Sequence, residues 1–356
     1  MAPGQPDNWM LLIFWRKFTI GFGGEFDMAV KDSVLTALQN NRDHYISGEE
    51  LSGQLNVSRA AVCKAVKALR NEGYEIDAVT NRGYMMPSEG TAVSEAAVRN
   101  ALSADLRGMN LFVYDIIDST NLEARRLILD ENTNTPAVVI ARQQTAGRGR
   151  LGRGFYSPRD GLYLSIVIRP NFDISRSSMV TVAAAAATSE AIDALCNCST
   201  DIKWVNDIYL DGKKVCGILT EATTDFETGQ IDSLIIGIGV NTSEKSFPPE
   251  LAGIAGSISE EGLDGHEKSL LAASITEKVL RYTKDLSGFM DSYRSRSMVI
   301  GREITVYTGT YRKDPTQELG GRKARAIGID DAGGLIVEYE DGTRQTLTSG
   351  EVSVRL

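Results

Sequence analysis

Apolar residues recur at helical spacing near the start of the chain, and two short runs of alternating polarity follow them. A capping-box pattern at 47–50 begins one short helix, and Ser58 begins a second helix that runs to Glu72. The two alternating runs predict strands joined by a turn-rich tip. This order of helix, turn, helix and wing predicts a winged helix-turn-helix domain over residues 28–87. We expect residues 1–27 to be a disordered tail or a misassigned start.

Helices alternate with strands in the middle of the chain, whereas its end carries strand patterns alone. The middle segment, residues 91–297, follows a short Pro/Gly linker and predicts a mixed α/β domain. Its predicted elements are helices at 93–103, 120–130, 176–196 and 268–290 and strands at 111–117, 137–141, 161–169, 202–204, 207–210, 214–222 and 231–240. Residues 298–356 hold alternating runs and an Asp341-Gly342 hairpin signal, which predict a small β-barrel. The predicted fold class is α+β with three domains.

Length and composition limit the kind of protein this can be. A chain of 356 residues is long enough for two or three separate cores. The apolar stretch 10–15 is too short to cross a bilayer, and the charged pair Arg16-Lys17 follows it, so we expect a cytoplasmic protein without membrane contact. The four cysteines lack a Cys-x-x-Cys spacing, and there are two histidines. We therefore expect no zinc site and no histidine relay, and chemistry that rests on carboxylates, lysines, arginines and backbone groups.

The run Ala146–Arg153 concentrates three arginines and three glycines in a chain whose formal net charge is -9. Its glycines match G-x-G-x-x-G, but that dinucleotide fingerprint needs a helix after the loop. Here strand patterns stand on both sides of the run. We therefore interpret it as a lid that folds over a ligand bearing phosphate, with a solvated arginine turn as the alternative.

Three further blocks place polar residues where predicted strands end or begin. Residues 118–121 can hold a carbonyl or a small anion at a helix N-terminus, or simply cap the helix. The Lys, Asn and Asp residues of 203–207 and 213–221 can neutralise phosphate charge and hold Mg²⁺, or form a surface hairpin. In 237–241, two glycines on one strand face leave room for a flat ring beside Asn241, unless they mark a bulge in a buried strand.

The order and spacing of these blocks closely resemble the biotin protein ligases. That family shows an STN block, a Q-T-x-G-R-G-R-x-G-R lid, a K-W-x-N-D strand end followed by K-x-x-G-I-L-x-E, and a G-I-G-x-N strand. With the helix-turn-helix and the β-strand tail, the resemblance covers Met28 to Leu356. It is to the bifunctional form, a ligase that also represses the biotin operon. It implies a class II synthetase-like central domain and an SH3-like barrel at the end.

The resemblance also implies an activity. Such enzymes use ATP and Mg²⁺ to activate biotin to biotinyl-5′-AMP, and they transfer biotin to a lysine of a biotin carboxyl carrier domain of a carboxylase. A lipoate ligase would carry an R-R-x-S-G-G-G lid and a nearby histidine, and neither occurs here. A regulator that senses biotin without ligating it would have no need of the charged residues in these blocks. An RNA-binding protein would need aromatic residues interleaved with the Gly/Arg run.

The resemblance assigns roles to individual residues. Those implied in catalysis are Arg150, Lys203, Asp207 and Lys214, with Asp207 also a ligand of Mg²⁺. Those implied in biotin binding are Ser119, Thr120, Asn121, Gln144, Gly147, Arg148, Gly149, Arg150, Gly152, Lys214, Gly217, Ile218 and Leu219. Those implied in ATP binding are Arg150, Arg153, Lys203, Asn206 and Asn241. The chain departs from the family at Val205, where proline is usual, at Phe155, where tryptophan is common, and at Cys216, which replaces a small residue.

The positive charge of the N-terminal domain lies on its second helix. Residues 28–87 hold seven basic and seven acidic residues, whereas 58–72 hold four basic residues and one acid. A helix that enters the major groove needs this charge on its own surface alone. The residues expected to contact operator DNA are Ser58, Arg59, Lys64, Lys67 and Arg82. One such domain binds weakly, so we expect a homodimer promoted by ligand; a winged helix used for protein contact is the alternative.

Overall fold

The chain divides into two compact units, Met1–Gly90 and Thr91–Leu356. The computed structural model describes residues 22–71, 74, 76–87, 93–129, 134–172, 176–224, 231–244, 247–251, 253–307, 321–348 and 351–354. Each unit has its own hydrophobic core. In the second unit, buried side chains of the mixed α/β segment and of the β-strand tail share one core.

The described residues of the N-terminal unit form three helices and a two-stranded wing. Its elements are α1 (Phe22–Asn40), α2 (Gly48–Leu55), α3 (Arg59–Asn71), β1 (Asp77–Val79) and β2 (Gly83–Met85). The strands of the wing pair antiparallel. The Ser47 side chain begins α2 by accepting a hydrogen bond from the Glu50 amide, and Ser58 Oγ accepts one from the Ala61 amide at the start of α3.

The apolar residues that recur at helical spacing in α3 face the hydrophobic core, as the periodicity predicts. The whole apolar stripe is buried, namely Val62, Ala65, Val66 and Leu69. It packs against Val34 and Leu38 of α1 and Leu51 of α2. The helix that the sequence pattern opens at Met28 spans Phe22–Asn40 in the structure. Residues 1–21 of the predicted tail lie outside the described residues.

A seven-stranded mixed sheet forms the centre of the second unit. Its strands are β3 (Asn110–Ile117), β4 (Ala137–Gln144), β5 (Leu162–Ile168), β6 (Asp201–Lys203), β7 (Asp207–Leu210), β8 (Lys213–Thr224) and β9 (Ile231–Val240). Their order is β3-β4-β5-β9-β8-β7-β6. The pair β3 and β4 is parallel, and all other neighbours are antiparallel. The predicted mixed α/β segment is therefore present, with strand bounds that shift by a few residues.

Helices cover both faces of this sheet. They are α4 (Glu95–Ala101), α5 (Thr120–Ile128), α6 (Ser177–Cys196), α7 (Gly265–Asp285) and α8 (Met290–Ser295). Alternate strand residues point to opposite faces, so Val139 packs with Ala124 of α5 while Val138 joins the core around α6. The helix predicted over 268–290 is α7, which ends at Asp285 because Leu286 adopts a left-handed conformation.

Helix α6 has the length and apolar composition of a membrane span. It is the one such helix among the residues that the structure describes, and 67% of the apolar stretch is buried inside the protein. Its alanines lie in the core against the sheet. The apolar composition of α6 therefore has a sufficient explanation in core packing.

The tail of the chain forms a five-stranded antiparallel sheet. Its strands are β10 (Glu303–Tyr307), β11 (Arg322–Ile329), β12 (Leu335–Tyr339), β13 (Arg344–Leu347) and β14 (Glu351–Val354), in the order β13-β12-β11-β10-β14. The Asp341-Gly342 signal does join β12 to β13, and Gly342 has a φ of 81° there. Strand β14 was not expected from the sequence. The SH3-like barrel stays a prediction, as does the class II synthetase-like character of the central domain.

Candidate active site

A cavity opens on the α5 face of the large sheet and gathers residues from all the predicted blocks. It is lined by Ser119, Thr120, Asn121, Gln144, Arg148, Gly149, Arg150, Leu151, Arg153, Gly154, Phe155, Lys203, Trp204, Asn206, Asp207, Lys214, Gly217, Ile218, Leu219, Gly237, Ile238, Gly239 and Val352. All residues predicted for catalysis are in this set. So are all the predicted ligand-binding residues except Gly147, Gly152 and Asn241. Segments far apart in the sequence therefore meet in one place.

A neutral polar pocket lies at the N-terminus of α5. Ser119 is the N-cap residue of that helix, yet its side chain makes no capping hydrogen bond. The Gln144 side-chain oxygen accepts from the Thr120 amide at 2.8 Å and from the Thr120 hydroxyl at 3.1 Å. The Gln144 nitrogen donates to Ser157 Oγ at 2.9 Å. These bonds fix the orientation of the Gln144 carboxamide, and the Ser119 hydroxyl makes no hydrogen bond that caps the helix.

Two residues to which the sequence analysis assigned no role of their own, Glu221 and Ser165, hold Asn121 in place. The Asn121 amide donates to Glu221 Oε2 at 2.8 Å, and its Oδ1 accepts from Ser165 Oγ at 2.6 Å. Ser165 is fully buried and also lies 2.7 Å from the Thr120 hydroxyl. The available signal was a single serine in the apolar strand β5, because a buried hydroxyl requires a partner. Asn121 therefore braces the start of α5.

Two facing glycines form a flat floor under the ring of Phe155. Gly217 of β8 and Gly239 of β9 are paired across the sheet. A Cβ on Gly239 would lie 2.5 Å from Phe155 Cε1, and a Cβ on Gly217 would lie 3.0 Å from Phe155 Cε2. Of the predicted pair Gly237 and Gly239, only Gly239 lies against a flat ring in this structure, that of Phe155, whereas Gly237 lies against the Asn121 side chain.

Cationic side chains occupy the other side of the cavity. Lys214 Nζ lies 2.7 Å from Asp207 Oδ1, and both side chains are partly exposed. Arg150 donates to Asn206 Oδ1 at 3.0 Å. The Asn206 amide is itself buried and donates to the Ile218 carbonyl at 2.8 Å, which fixes where its oxygen points. The lid arginine is therefore tied to the turn between β6 and β7.

The predicted lid is an ordered loop between β4 and β5. Its backbone closes on itself, with the Gly149 amide donating to the Arg153 carbonyl at 2.8 Å and the Phe155 amide donating to the Gly147 carbonyl at 2.9 Å. Gly152 has a φ of 72°. A Cβ on Gly147 would lie 2.4 Å from the Phe155 carbonyl oxygen. These two glycines therefore shape the loop backbone, although they do not line the cavity.

Asn241 lies behind the cavity wall. Its amide nitrogen donates to the Lys214 carbonyl at 3.3 Å and to the Gly256 carbonyl at 3.0 Å. The Lys214 amide donates to the Ile254 carbonyl at 3.0 Å, and the Gly256 amide donates to the Lys214 carbonyl at 2.9 Å. Asn241 and the segment 254–256 thus hold the backbone of Lys214 on both sides.

Burial changes the acidity of two groups beside the site. It raises the pKa of the Cys216 thiol, so this departure from the family pattern adds no nucleophile at neutral pH. Burial also raises the pKa of Tyr209 to about 12, with a further contribution from the charge of Asp207. Both groups stay neutral near pH 7.

The residues predicted for DNA contact lie on the surface of the N-terminal unit. Ser58, Arg59, Lys64 and Lys67 are exposed on or next to α3. The Arg82 guanidinium sits on the wing, 5.3 Å from the ring centroid of Tyr45. The basic face of α3 is therefore accessible.

Comparison with known proteins identifies the parts of the chain. A family model for the biotin/lipoate A/B protein ligase family matches residues 113–241, one for an HTH domain matches 31–85, and one for the biotin protein ligase C terminal domain matches 315–355. A bifunctional ligase/repressor BirA from Bacillus spizizenii is 36% identical over 85% of this chain and 91% of its own length. The Bacillus subtilis protein of the same name is 34% identical.

Solved structures agree with this assignment. The biotin protein ligase from Aquifex aeolicus, in complex with biotin and ATP, superposes with a TM-score of 0.55 at 27% identity. The match covers 69% of this chain and 98% of that protein. This chain belongs to the biotin protein ligase family, with the domain set of the bifunctional ligase/repressors.

Proposed function

We propose that this chain activates biotin with ATP to biotinyl-5′-AMP and then transfers biotin to a lysine of a biotin carboxyl carrier domain. The main support is that a neutral hydrogen-bonding pocket at Thr120 and Gln144 and a cationic group at Lys214 and Arg150 line a single cavity. Biotin has matching ends, because its ureido ring forms hydrogen bonds and its carboxylate is anionic at neutral pH.

Each end of biotin meets a different set of residues. The ureido ring lies against Ser119, Thr120 and Gln144, with Asn121 bracing the helix that carries them. Gly217, Ile218 and Leu219 form the wall beside the ring and the valeryl tail. The tail leads to Lys214, and the lid residues Gly147, Arg148, Gly149, Arg150 and Gly152 close over it.

In the first step a carboxylate oxygen of biotin attacks the α-phosphorus of ATP, and diphosphate leaves. The carboxylate is already ionised, so the step needs no base, and the chief obstacle is repulsion between anions. Lys203, Lys214 and Arg150 bring positive charge to the cavity, and Arg153 lies at its rim for the phosphates. Such charge acts more strongly once the lid excludes water.

Asp207 suits a magnesium ion that arrives with ATP. It is the one carboxylate among the described residues that line the cavity. Within the same described part of the chain, no cluster of three or more metal-ligating side chains occurs. Mg²⁺ commonly binds through one or two carboxylates together with substrate phosphates, where it neutralises their charge. One carboxylate at the phosphate end of the cavity fits that pattern.

In the second step the amine of the carrier lysine attacks the acyl carbon of the adenylate, and AMP leaves. The amine loses a proton, and Asp207 is the candidate acceptor because it is the one carboxylate among the described residues that line the cavity. The mixed anhydride hydrolyses in water, so the lid that aids the first step also protects its product.

Asn241 serves the ATP half of the cavity through the backbone that it holds. Its amide donates to the carbonyls of Lys214 and Gly256. These bonds fix the backbone of Lys214, whose side chain lines the cavity.

The N-terminal unit gives the protein its second activity, repression at operator DNA. We place α3 in the major groove, with Ser58, Arg59, Lys64 and Lys67 at base edges and phosphates and Arg82 reaching phosphate or the minor groove. A dimer promoted by the bound adenylate would span two half-sites. Lys64→Ala should weaken operator binding and lower its salt dependence, because one phosphate contact is lost.

The test of the ligase is direct. The purified chain is incubated with biotin, MgATP and a biotin carboxyl carrier domain, and the mass of both proteins is measured. We expect a gain of one biotin on the carrier. A gain in carrier mass with lipoate in place of biotin would indicate a lipoate-type ligase. Tight binding of biotin without any gain in carrier mass would indicate a protein that only senses biotin. In a fluorescence assay, operator affinity that biotin and ATP leave unchanged would contradict ligand-promoted dimerisation.

A further inference from the structure

The C-terminal sheet reaches the wall of the cavity through one tryptophan. Trp204 lies in the turn between β6 and β7, lines the cavity and is 4% exposed. Its indole Nε1 donates to the Gly333 carbonyl at 2.9 Å, in the turn between β11 and β12. An indole N–H can only donate, and a buried donor left without an acceptor destabilises its surroundings. The position of Trp204 is therefore set by the place where this carbonyl is held.

The turn that presents the Gly333 carbonyl is itself fixed. Asp330 Oδ1 accepts from the Ala332 amide at 2.9 Å and from the Gly334 amide at 2.8 Å. The backbone closes with Asp330 donating to the Gly334 carbonyl at 2.9 Å. Gly333 has a φ of +79°, and a Cβ there would lie 2.7 Å from Val182 Cγ2 of α6. The turn has little freedom to move.

On its other side, Trp204 belongs to the turn that carries nucleotide residues. Lys203 precedes it, and Asn206, whose oxygen accepts from Arg150, follows two residues later. A second bond supports the same turn, because the Tyr293 hydroxyl donates to the Val205 carbonyl at 3.1 Å. A displacement of the indole would therefore shift Lys203 and Asn206, whereas Thr120 and Gln144 lie on other elements.

We propose that Trp204 and the turn at Asp330–Gly334 are positioning residues for the nucleotide half of the cavity. The C-terminal sheet holds the indole, and the indole holds Lys203 and Asn206 where ATP needs them. This inference rests on the proposed function and adds to it a role for the C-terminal sheet in ATP binding. Val352 of β14 also lines the cavity, so the C-terminal sheet contributes directly to the cavity wall.

The test is a double-mutant cycle read by biotin-dependent exchange of diphosphate with ATP. Trp204→Phe keeps a ring and removes the donor, and Asp330→Ala loosens the turn that holds the acceptor. Each single variant should raise KM for ATP about fivefold to tenfold, the worth of one hydrogen bond of roughly 1 kcal/mol. KM for biotin should change less than about twofold, because Thr120 and Gln144 lie on other elements and keep their interactions. The double variant should be no worse than Trp204→Phe, because both changes act through one bond.

Two control variants separate positioning from general damage. Asp330→Asn keeps an oxygen that can accept both amides and should behave like the parent. Asp341→Ala removes an exposed ion pair with Arg322 in the same sheet and should also leave both KM values unchanged. Biotin binding measured by calorimetry and the thermal midpoint report whether each variant is folded.

Three results would overturn the inference: effects on KM for ATP that multiply in the double variant, equal effects on biotin and ATP, or an unchanged KM in Trp204→Phe. Failure of the proposed function looks different, because the parent itself would then show no exchange.

Discussion

Replacement of Arg150 by glycine should let the reactive intermediate, biotinyl-adenylate, escape from the cavity. Arg150 ties the lid to the turn at Asn206 through a hydrogen bond of 3.0 Å from a charged donor. Such a bond contributes about 1.5–3 kcal/mol, which corresponds to a rate of release of the intermediate that is about tenfold to a hundredfold higher. Glycine also adds backbone freedom beside Gly149 and Gly152, so the lid closes less often.

The assay loads the protein with labelled biotin and MgATP, removes free ligand and follows the loss of biotinyl-adenylate. In parallel, biotin on an unrelated lysine-rich protein reports escape of the reactive acyl group. Arg159→Gly is the matched control, because Arg159 is an exposed arginine that pairs with Asp115 outside the cavity wall. Arg150→Lys, which keeps the charge and loses the planar fork, should fall between the two. If Arg150→Gly retained its intermediate as long as the parent and spared the bystander, the role of the lid would be refuted.

Three further predictions concern the floor, the nucleotide and pH. Gly239→Ala should cost about 1–3 kcal/mol of stability through overpacking, and Phe155→Ala in the same chain should recover much of it in urea unfolding. Asn241→Asp should weaken ATP binding, measured by calorimetry, with little change for biotin, because a carboxylate faces two carbonyls. Burial lowers the pKa of Lys268 to about 8 from 10.5. The unfolded chain therefore binds more protons between these values, and the free energy of unfolding should rise with pH there. Lys268→Met should remove that rise and stabilise the protein near pH 7.

Local patterns in the sequence were sufficient to bring most of the site together. Asp207 and Lys214 lie on the two strands of one short predicted hairpin, and this keeps them near each other. Gly237 and Gly239 of β9 predict room for a flat ring because residues two apart share a face. The type and order of most strands and helices followed from the same periodicities, with bounds that shift by a few residues.

Partners across long sequence distances could not be found this way. Ser165 and Glu221 lie 44 and 100 residues from Asn121 in the chain, and their bonds depend on how β5 and β8 are placed under α5. The link from Trp204 to Gly333 spans two segments that share no pattern. Asn241 was predicted to face a ligand, and it is placed behind Lys214 by a loop whose path the sequence does not reveal. In each case tertiary packing, not local spacing, selects the partner.

The glycine floor under Phe155 restricts the order in which this protein can change during evolution. With the ring in place, a side chain at Gly239 meets an atom 2.5 Å away, so that substitution is unfavourable as a first step. Once residue 155 has become small, the same substitution is open, and the ring cannot then return. We therefore expect residue 155 and the two glycines to change together, because a lineage that has lost the ring and then replaced Gly239 can no longer restore the ring.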